Sequence, residues 1–489
     1  MTLIIEGHSF HYEMENLCRL FFPYIKIKVT HQQIDDINTV FTGVKSSEDG
    51  CIITVSVKLG SFCKKNTDFV DAEHIDNENE KERRMSVLLF NILSEHCGFT
   101  PKWGILTGVR PVKLLRMLIS KLGEQEGIEF YRNKLLVSKQ KTDLSLLTMH
   151  NEGKLLSQNK PNSFSLYISI PFCPTRCAYC SFVSSSVEKT AKLIPKYLEL
   201  LCKEIEYTSI IANNLNLHLE SIYIGGGTPT TLSAKQLRIL LITINKCFDI
   251  NKCREFTVEA GRPDTITSEK LLAIKKYGVT RISINPQTLN DDVLKEIGRK
   301  HTSQQTISAF DLARSLGFNN INMDLIAGLP KDSLESFVST IDKIIKMSPE
   351  NITVHTLSLK RSAKLFQDEI QPFSKNEQIV SQMLDYADEQ LLKHGYLPYY
   401  LYRQSRMVGN FENTGWCRPG FESPYNIFIM DETQTILACG AGASSKIKDP
   451  KSDRLERVFN FKYPYEYISR HEEIIMRKDQ VKSIYEKFC

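Results

Sequence analysis

From Leu166 onward, six short segments with the apolar alternation of β-strands are separated by segments with helical apolar spacing. The strands expected are 166–172 (LYISIPF), 221–227 (SIYIGGG), 255–261 (EFTVEAG), 281–287 (RISINPQ), 320–328 (NINMDLIAG) and 351–357 (NITVHTL). Helices are expected at 189–213, 233–246, 268–277, 291–316 with a break, and 333–346. Such alternation demands a parallel sheet, because each strand must return to the same end through a crossover that covers a sheet face. Six units without an evident closing pair predict an α/β fold built on a partial (β/α)6 barrel. In such barrels, ligands gather at the carboxyl ends of the strands.

Those strand ends carry the chemistry. The first strand runs into Cys173, Cys177 and Cys180, spaced CxxxCxxC within one loop. Three thiolates cannot close a tetrahedral zinc site, and no second CxxC pair occurs in the chain. A cubane iron–sulfur cluster can use three cysteines and leave one iron open, since soft thiolates suit that chemistry. An incomplete zinc knuckle or a chance cluster of cysteines is the alternative. The second strand ends in Gly225, Gly226, Gly227, Thr228, Pro229 and Thr230, where missing side chains let the backbone approach a ligand. Glu259 ends the third strand, where a carboxylate can accept both hydroxyls of a ribose, or can instead pair with Arg262. Gln287 ends the fourth strand, Asp324 lies in the fifth, and Arg299 sits in the segment 297–302 (IGRKHT).

The 489 residues suffice for two to four domains, and residues 1–160 read as a separate N-terminal α+β domain. Its strands are expected at TLIIEG, at 24–30 and at 51–60, with one helix stopping on Gly98 and another after Pro111. A polar linker at 157–163 leads into a barrel at 161–400, and 401–489 is expected to complete the barrel and the substrate side. A net charge of +5 is too weak a bias to imply nucleic acid or a membrane surface. The first residues lack a basic segment followed by an apolar run, and no apolar stretch nears the ~20 residues of a membrane helix. Ten of the thirteen cysteines are scattered outside the triplet, which reads as thiols in a reducing cytoplasm.

The loop CPTRCAYC resembles that of the radical S-adenosylmethionine (SAM) superfamily, in which an aromatic precedes the third cysteine; Tyr179 holds that place. The resemblance implies a 4Fe-4S cluster on Cys173, Cys177 and Cys180. The SAM head group would complete its open iron, and one electron would cleave SAM to methionine and a 5′-deoxyadenosyl radical. It further implies that Gly226, Gly227 and Thr228 cradle the SAM amino group and that Glu259 contacts its ribose. Tyr167, Gln287, Arg299 and Asp324 match residues that bind SAM or its neighbours.

Seven blocks in order, from LYISIPFC to NMDLIAGLP, resemble the oxygen-independent coproporphyrinogen III oxidases over about 160–445. The long first domain and TVHTLSLKR look like the HemZ-type coproporphyrinogen dehydrogenase branch. The implied reaction is oxidative decarboxylation of two propionates of coproporphyrinogen III to vinyl groups in haem biosynthesis, giving protoporphyrinogen IX. The implied partners are a small-molecule tetrapyrrole and an electron donor such as flavodoxin or ferredoxin. Phe182 and Ser169 stand where well-studied members have a fourth cysteine and a histidine, and the smaller C-terminal domain of those oxidases is not evident.

Two other readings stay open. A sister branch binds haem as a chaperone through an HNxxY motif, and the matching stretch here is Tyr425, Asn426, Ile427, Phe428 and Ile429, without the His or the final Tyr. A radical SAM enzyme acting on another tetrapyrrole, such as haem, is the second. His355 and His394 are loose candidates for a haem ligand, and Tyr425 is read as core packing. For substrate carboxylates, Lys360, Arg361, Arg403 and Arg406 are the candidate cations, because guanidinium groups bind carboxylates bidentately.

Overall fold

Five strands near the amino terminus build the first sheet: β1 (Thr2–Glu6), β2 (Lys28–Thr30), β3 (Asn38–Ser47), β4 (Gly50–Leu59) and β5 (Phe62–Asp71), in the order β2-β1-β3-β4-β5. β1 runs parallel to β2 and β3, while β3, β4 and β5 form an antiparallel meander. The strand expected at 24–30 is confined to Lys28–Thr30, and β3 and β5 were not foreseen. β5 alternates half-buried and exposed residues as an edge strand does, and its inward positions include Lys64 and Asn66, so it carries little apolar signal. Helix Glu78–Cys97 is capped by the Asn77 side chain accepting from Glu80 N and stops at Gly98, whose φ of 68° suits a residue without Cβ. Its Met85, Leu89 and Leu93 join Leu3, Met14, Val55 and Val57 in one apolar core.

A computed structural model of the chain describes residues 1–23, 25–34, 36–74, 76–182, 184–358, 376–404 and 407–488. Lys360, Arg361 and Arg406, named above for substrate carboxylates, lie outside the described residues. The chain divides into two units, Met1–Leu146 with Tyr402–Glu412, and Leu147–Leu401 with Asn413–Cys489. The three seams fall inside helix Lys139–Leu156 and within strands Leu397–Arg403 and Glu412–Cys417, where composition gives no sign of them.

Arg403, in the first unit, is not placed to bind a carboxylate. Its Nη1 donates to the carbonyls of Leu106 (2.8 Å) and Gly108 (3.4 Å), and its Nε to Asn410 O (3.2 Å). Its guanidinium also lies 5.5 Å from the Trp103 ring. Beside it, Glu412 accepts from Trp103 Nε1 at 2.6 Å and pairs with Lys141. Burial lowers the Arg403 pKa to about 10, with the Glu412 charge opposing the fall.

The second unit carries all six expected strands: β6 (Ser163–Ile170), β9 (His218–Gly226), β10 (Glu255–Glu259), β11 (Arg281–Ser283), β12 (Ile321–Ala327) and β13 (Asn351–Thr356). They are neighbours in that order and parallel throughout. The crossover helices are Ile194–Asn214, Ala234–Cys247, Ser268–Lys276, Ser303–Ser315 and Leu334–Met347, two of them opened by reciprocal capping boxes at Ser233/Gln236 and Thr302/Gln305. Register sets Tyr167 beside Tyr223, Tyr223 beside Thr257, and Thr257 beside Arg281, one row across four strands.

The sheet does not stop at six strands. β16 (Thr435–Cys439) joins parallel to β6, followed by antiparallel β17 (Ser444–Lys448) and β18 (Leu455–Phe459). At the far edge, β15 (Glu412–Cys417) pairs antiparallel with β13, and β14 (Leu397–Arg403) lies outermost. Among the described residues the resulting sheet has eleven strands. A separate pair, β7 (Phe172–Cys173) and β8 (Ser185–Ser186), closes the cysteine loop. Among the described residues, no helix is long and apolar enough to cross a membrane.

Candidate active site at the strand ends

The cysteine loop leaves β6 through β7 and is fastened at both flanks. Ala178 N donates to Ile297 O (3.0 Å) and Thr175 Oγ1 to Gly298 O (3.2 Å), so the loop is tied to the turn that carries Arg299. Gly227 N and Thr228 N donate to Ile170 O and Phe172 O, each at 2.8 Å, which ties it to the end of β9. Cys177 is 8 % exposed, while Cys173 and Cys180 are half-buried. Thr228 Oγ1 lies 3.5 Å from Cys173 Sγ, and Arg262 Nη1 lies 3.9 Å from Cys177 Sγ. Burial pushes the Cys180 thiol up to about 11 and raises Cys173 as well. Phe182 is 66 % exposed.

Among the described residues, no three His, Cys, Asp or Glu side chains converge on a single metal ion. A cubane makes a different demand, since each thiolate binds a different iron and the sulfurs stand farther apart. The three thiols nonetheless feel one another, for Cys177 and Cys173 both raise Cys180 electrostatically.

The glycine run at the end of β9 leaves a cradle that side chains would fill. A Cβ on Gly226 would stand 2.8 Å from Ser169 Oγ and 3.4 Å from Tyr167 Oη, and its φ is +102°. One on Gly225 would stand 2.9 Å from Glu259 Oε2, and one on Gly227 2.7 Å from Phe172 O. The Ser169 hydroxyl is engaged by Ala441 O at 2.8 Å, which brings the turn after β16 to the same strand end.

Glu259 is half-buried and accepts a hydrogen bond from Tyr223 Oη. Burial pushes its carboxyl up to about 7; the Tyr223 bond works downward and the Asp324 charge upward. Arg262 does not pair with it, contrary to the sequence alternative: its fork holds Asp264, Nε to Oδ1 at 3.0 Å and Nη2 to Oδ2 at 2.9 Å. Asp324 accepts from Asn322 Nδ2 at 2.7 Å and lies 3.8 Å from His355 Nε2. Burial works against its charge, but these neighbours and Arg281 hold it below the ordinary carboxylate range.

Arg299 is buried. It donates to Asn285 O (2.6 Å) and to Tyr179 Oη (3.1 Å) and so ties the aromatic of the cysteine loop to the fourth strand end. Gln287 lies beyond β11, held by a bridge to Leu325 and by Gln287 N to Asp324 O at 2.9 Å. Its φ of 70° is a conformation that non-glycine residues hold at a cost and that recurs at functional sites. Tyr167, Tyr223 and Tyr425 form a stack, with the Tyr223 and Tyr425 centroids 4.5 Å apart. Tyr425 is thus packed beside the site, whereas His394 is exposed and bonded to Gln390 O at its helix end.

Hydrogen bonds and close packing therefore join Cys173 to Thr228, Tyr179 to Arg299, Tyr167 to Gly226, and Gln287 to Asp324. Sequence reasoning missed Tyr223, Asn322 and Arg281. Arg281 is 1 % exposed, and none of its three guanidinium nitrogens has a hydrogen-bond partner. The signal was present, since Tyr223 and Arg281 share the row of Tyr167 once the strands are set in register.

This fold and strand-end site define a radical SAM protein, and the Radical SAM superfamily signature matches residues 167–344. The solved coproporphyrinogen III oxidase HemN of Escherichia coli shares the fold, with a TM-score of 0.51 and 22 % identity over 67 % of this chain and 72 % of that one. The oxygen-independent coproporphyrinogen-III oxidase-like protein HemZ of Bacillus subtilis is 36 % identical over 100 % of this chain and 99 % of its own length. The heme chaperone HemW of Lactococcus lactis is 32 % identical over 66 % of this chain and 79 % of its own. The chain belongs to the HemZ-like family of oxygen-independent coproporphyrinogen III oxidase-like radical SAM proteins. Its cofactors are those of the superfamily, a 4Fe-4S cluster and SAM. The residues present fit them: three thiols in one fastened loop, a cradle that any Cβ would obstruct, and a carboxylate at the neighbouring strand end.

Proposed function

We propose that the chain oxidatively decarboxylates propionate side chains of coproporphyrinogen III to vinyl groups, with Cys173, Cys177 and Cys180 holding the cluster. The observation that carries this reading is the likeness to an oxidase-like relative along the entire chain, first unit included, where the cited chaperone covers 66 % of it. When bound, the cluster and SAM supply a one-electron cleavage that yields a hydrogen-abstracting 5′-deoxyadenosyl group.

The chain's own residues bind and orient. The fastened loop presents the three sulfurs, and Gly226 and Gly227 leave backbone open to an amino-acid head group. Ionised Glu259, aimed by Tyr223, accepts ribose hydroxyls, while Arg299 and Tyr179 brace the cysteine loop against the fourth strand end. On the substrate, a propionate loses a β-hydrogen atom, then carbon dioxide and one electron passed to an acceptor, and an alkene remains.

Anaerobic incubation of the reconstituted protein with SAM, a reductant and coproporphyrinogen III tests the reading. Formation of 5′-deoxyadenosine together with loss of carbon dioxide and two hydrogens per propionate is expected. Stoichiometric haem uptake with no vinyl product would put the chaperone reading in its place. SAM cleavage stimulated by haem and not by coproporphyrinogen would point to another tetrapyrrole.

A further inference from the structure

Arg262 has no part in the reaction proposed above, yet it is a buried cation aimed at the cysteine loop. It is 3 % exposed and follows β10 by three residues. Asp264 fixes the planar fork through two parallel hydrogen bonds at 3.0 and 2.9 Å. That clamp uses Nε and Nη2 and leaves Nη1 facing the loop, 3.0 Å from Thr175 Oγ1 and 3.9 Å from Cys177 Sγ. The side chain of Asp264 is 21 % exposed against 3 % for Arg262, so the negative end of the pair meets water and the positive end meets sulfur. His301, also buried, lies 3.8 Å from Asp264. Its charge would compete for Asp264, but burial together with the Arg299 and Arg262 charges holds it near 3, so it is neutral at pH 7. Arg299, a second buried cation, donates to Asn285 O and Tyr179 Oη and also interacts with Cys177, but without a carboxylate clamp such as Asp264 gives Arg262.

A thiolate bound to iron grows more negative when its cluster takes an electron. A fixed donor and positive charge at that sulfur favour the reduced state, and hydrogen bonds to cluster sulfurs are a main determinant of potential. Arginine supplies this at any physiological pH because it does not lose its proton.

We infer that Arg262, clamped by Asp264, is a positioning residue that raises the reduction potential of the cluster through the sulfur of Cys177. This rests on the assignment of Cys177 as a ligand. A merely structural role, bridging Thr175 to Asp264, would leave the potential where it is.

The test is an anaerobic redox titration of the reconstituted full-length protein, followed by electron paramagnetic resonance, for wild type, Arg262→Gln and Arg262→Lys, with iron content measured in parallel. With iron content unchanged, Arg262→Gln should lower the reduced-to-oxidised ratio at fixed potential about tenfold, equivalent to a 59 mV fall in midpoint for one electron. Arg262→Lys, which keeps the charge and loses the fork, should shift the same way by less. An Arg262→Gln protein with a full cluster and the wild-type midpoint would overturn the inference alone. If Arg262→Gln fails to hold a cluster, a wild-type midpoint in Arg262→Lys overturns it, and a partial fall sustains it. If Cys177→Ala keeps a full cluster, the ligand assignment fails and takes the inference with it.

Discussion

Arg403 in the first unit and Arg281 in the second are withdrawn from water to nearly the same degree, at 2 % and 1 % exposure. Their surroundings are opposite. Arg403 spends Nη1 and Nε on three carbonyls and lies against Trp103, with only Nη2 unmet, and the adjoining Glu412 is shared by Trp103 and Lys141. Arg281 makes no such bond, although Tyr399, Glu255 and Tyr223 lie near enough for their charged forms to favour its own against the cost of burial. A buried charge without hydrogen bonds is costly, so a fold that keeps one has a use for it. The contrast teaches that burial alone does not mark a site. The network whose bonds are mostly met is scaffold, and the unmet guanidinium lies in the strand row that holds Tyr167.

The largest effect expected on that contrast comes from the scaffold side. Glu412→Ala removes the acceptor of Trp103 Nε1 and the carboxylate paired with the buried Lys141, and should cost about 3–5 kcal/mol, read as a lower urea midpoint. A loss under ~1 kcal/mol would mean that the network is dispensable.

On the site side, Gly226→Ala forces a side chain into a positive-φ position 2.8 Å from Ser169 Oγ. It should weaken SAM binding by more than about tenfold, equivalent to ~1.4 kcal/mol, with iron content unchanged. Calorimetry that finds wild-type SAM affinity would remove the cradle from the account.

Glu259→Gln should weaken SAM binding about tenfold at pH 8 and abolish its pH dependence. The sign follows from a carboxyl raised to about 7: above that pH it is ionised and accepts best, so wild-type affinity should climb between pH 6 and 8. Stability runs the other way. Burial favours the protonated form, so the folded state gains as pH falls from about 7 toward the ordinary carboxylate range, and Glu259→Gln should flatten that trend too.

The smallest effect is expected from Arg281→Met. It should change stability by no more than about 1 kcal/mol, because no hydrogen bonds are lost and Glu255 can take up a proton. A loss of ~3 kcal/mol would make Arg281 a structural residue like Arg403.

The six barrel strands and the cysteine loop were legible because their signals are local: a two-residue alternation, and three thiols within eight positions. β16 was not, since TILAC is buried at every position and has no alternation to read. Glu259 was found at its strand end, but the partner suggested for it, Arg262, turns to Asp264, a choice between two nearby carboxylates that only the backbone after β10 decides. Arg403 reads in sequence as a free cation after a tyrosine-rich strand, and two of the three carbonyls that occupy it come from a turn about 300 residues earlier. Tyr223 and Arg281 needed strand register before they could be seen as neighbours of Tyr167.

The central claim is that Cys173, Cys177 and Cys180 bind a 4Fe-4S cluster whose open iron is completed by SAM. The most direct measurement is the electron paramagnetic resonance spectrum of the anaerobically reconstituted, reduced protein with and without SAM, alongside the variant in which all three cysteines are alanine. The account predicts a reduced-cluster signal that SAM perturbs in the wild type and no cluster in the variant. A signal indifferent to SAM, or an intact cluster in the variant, would contradict it.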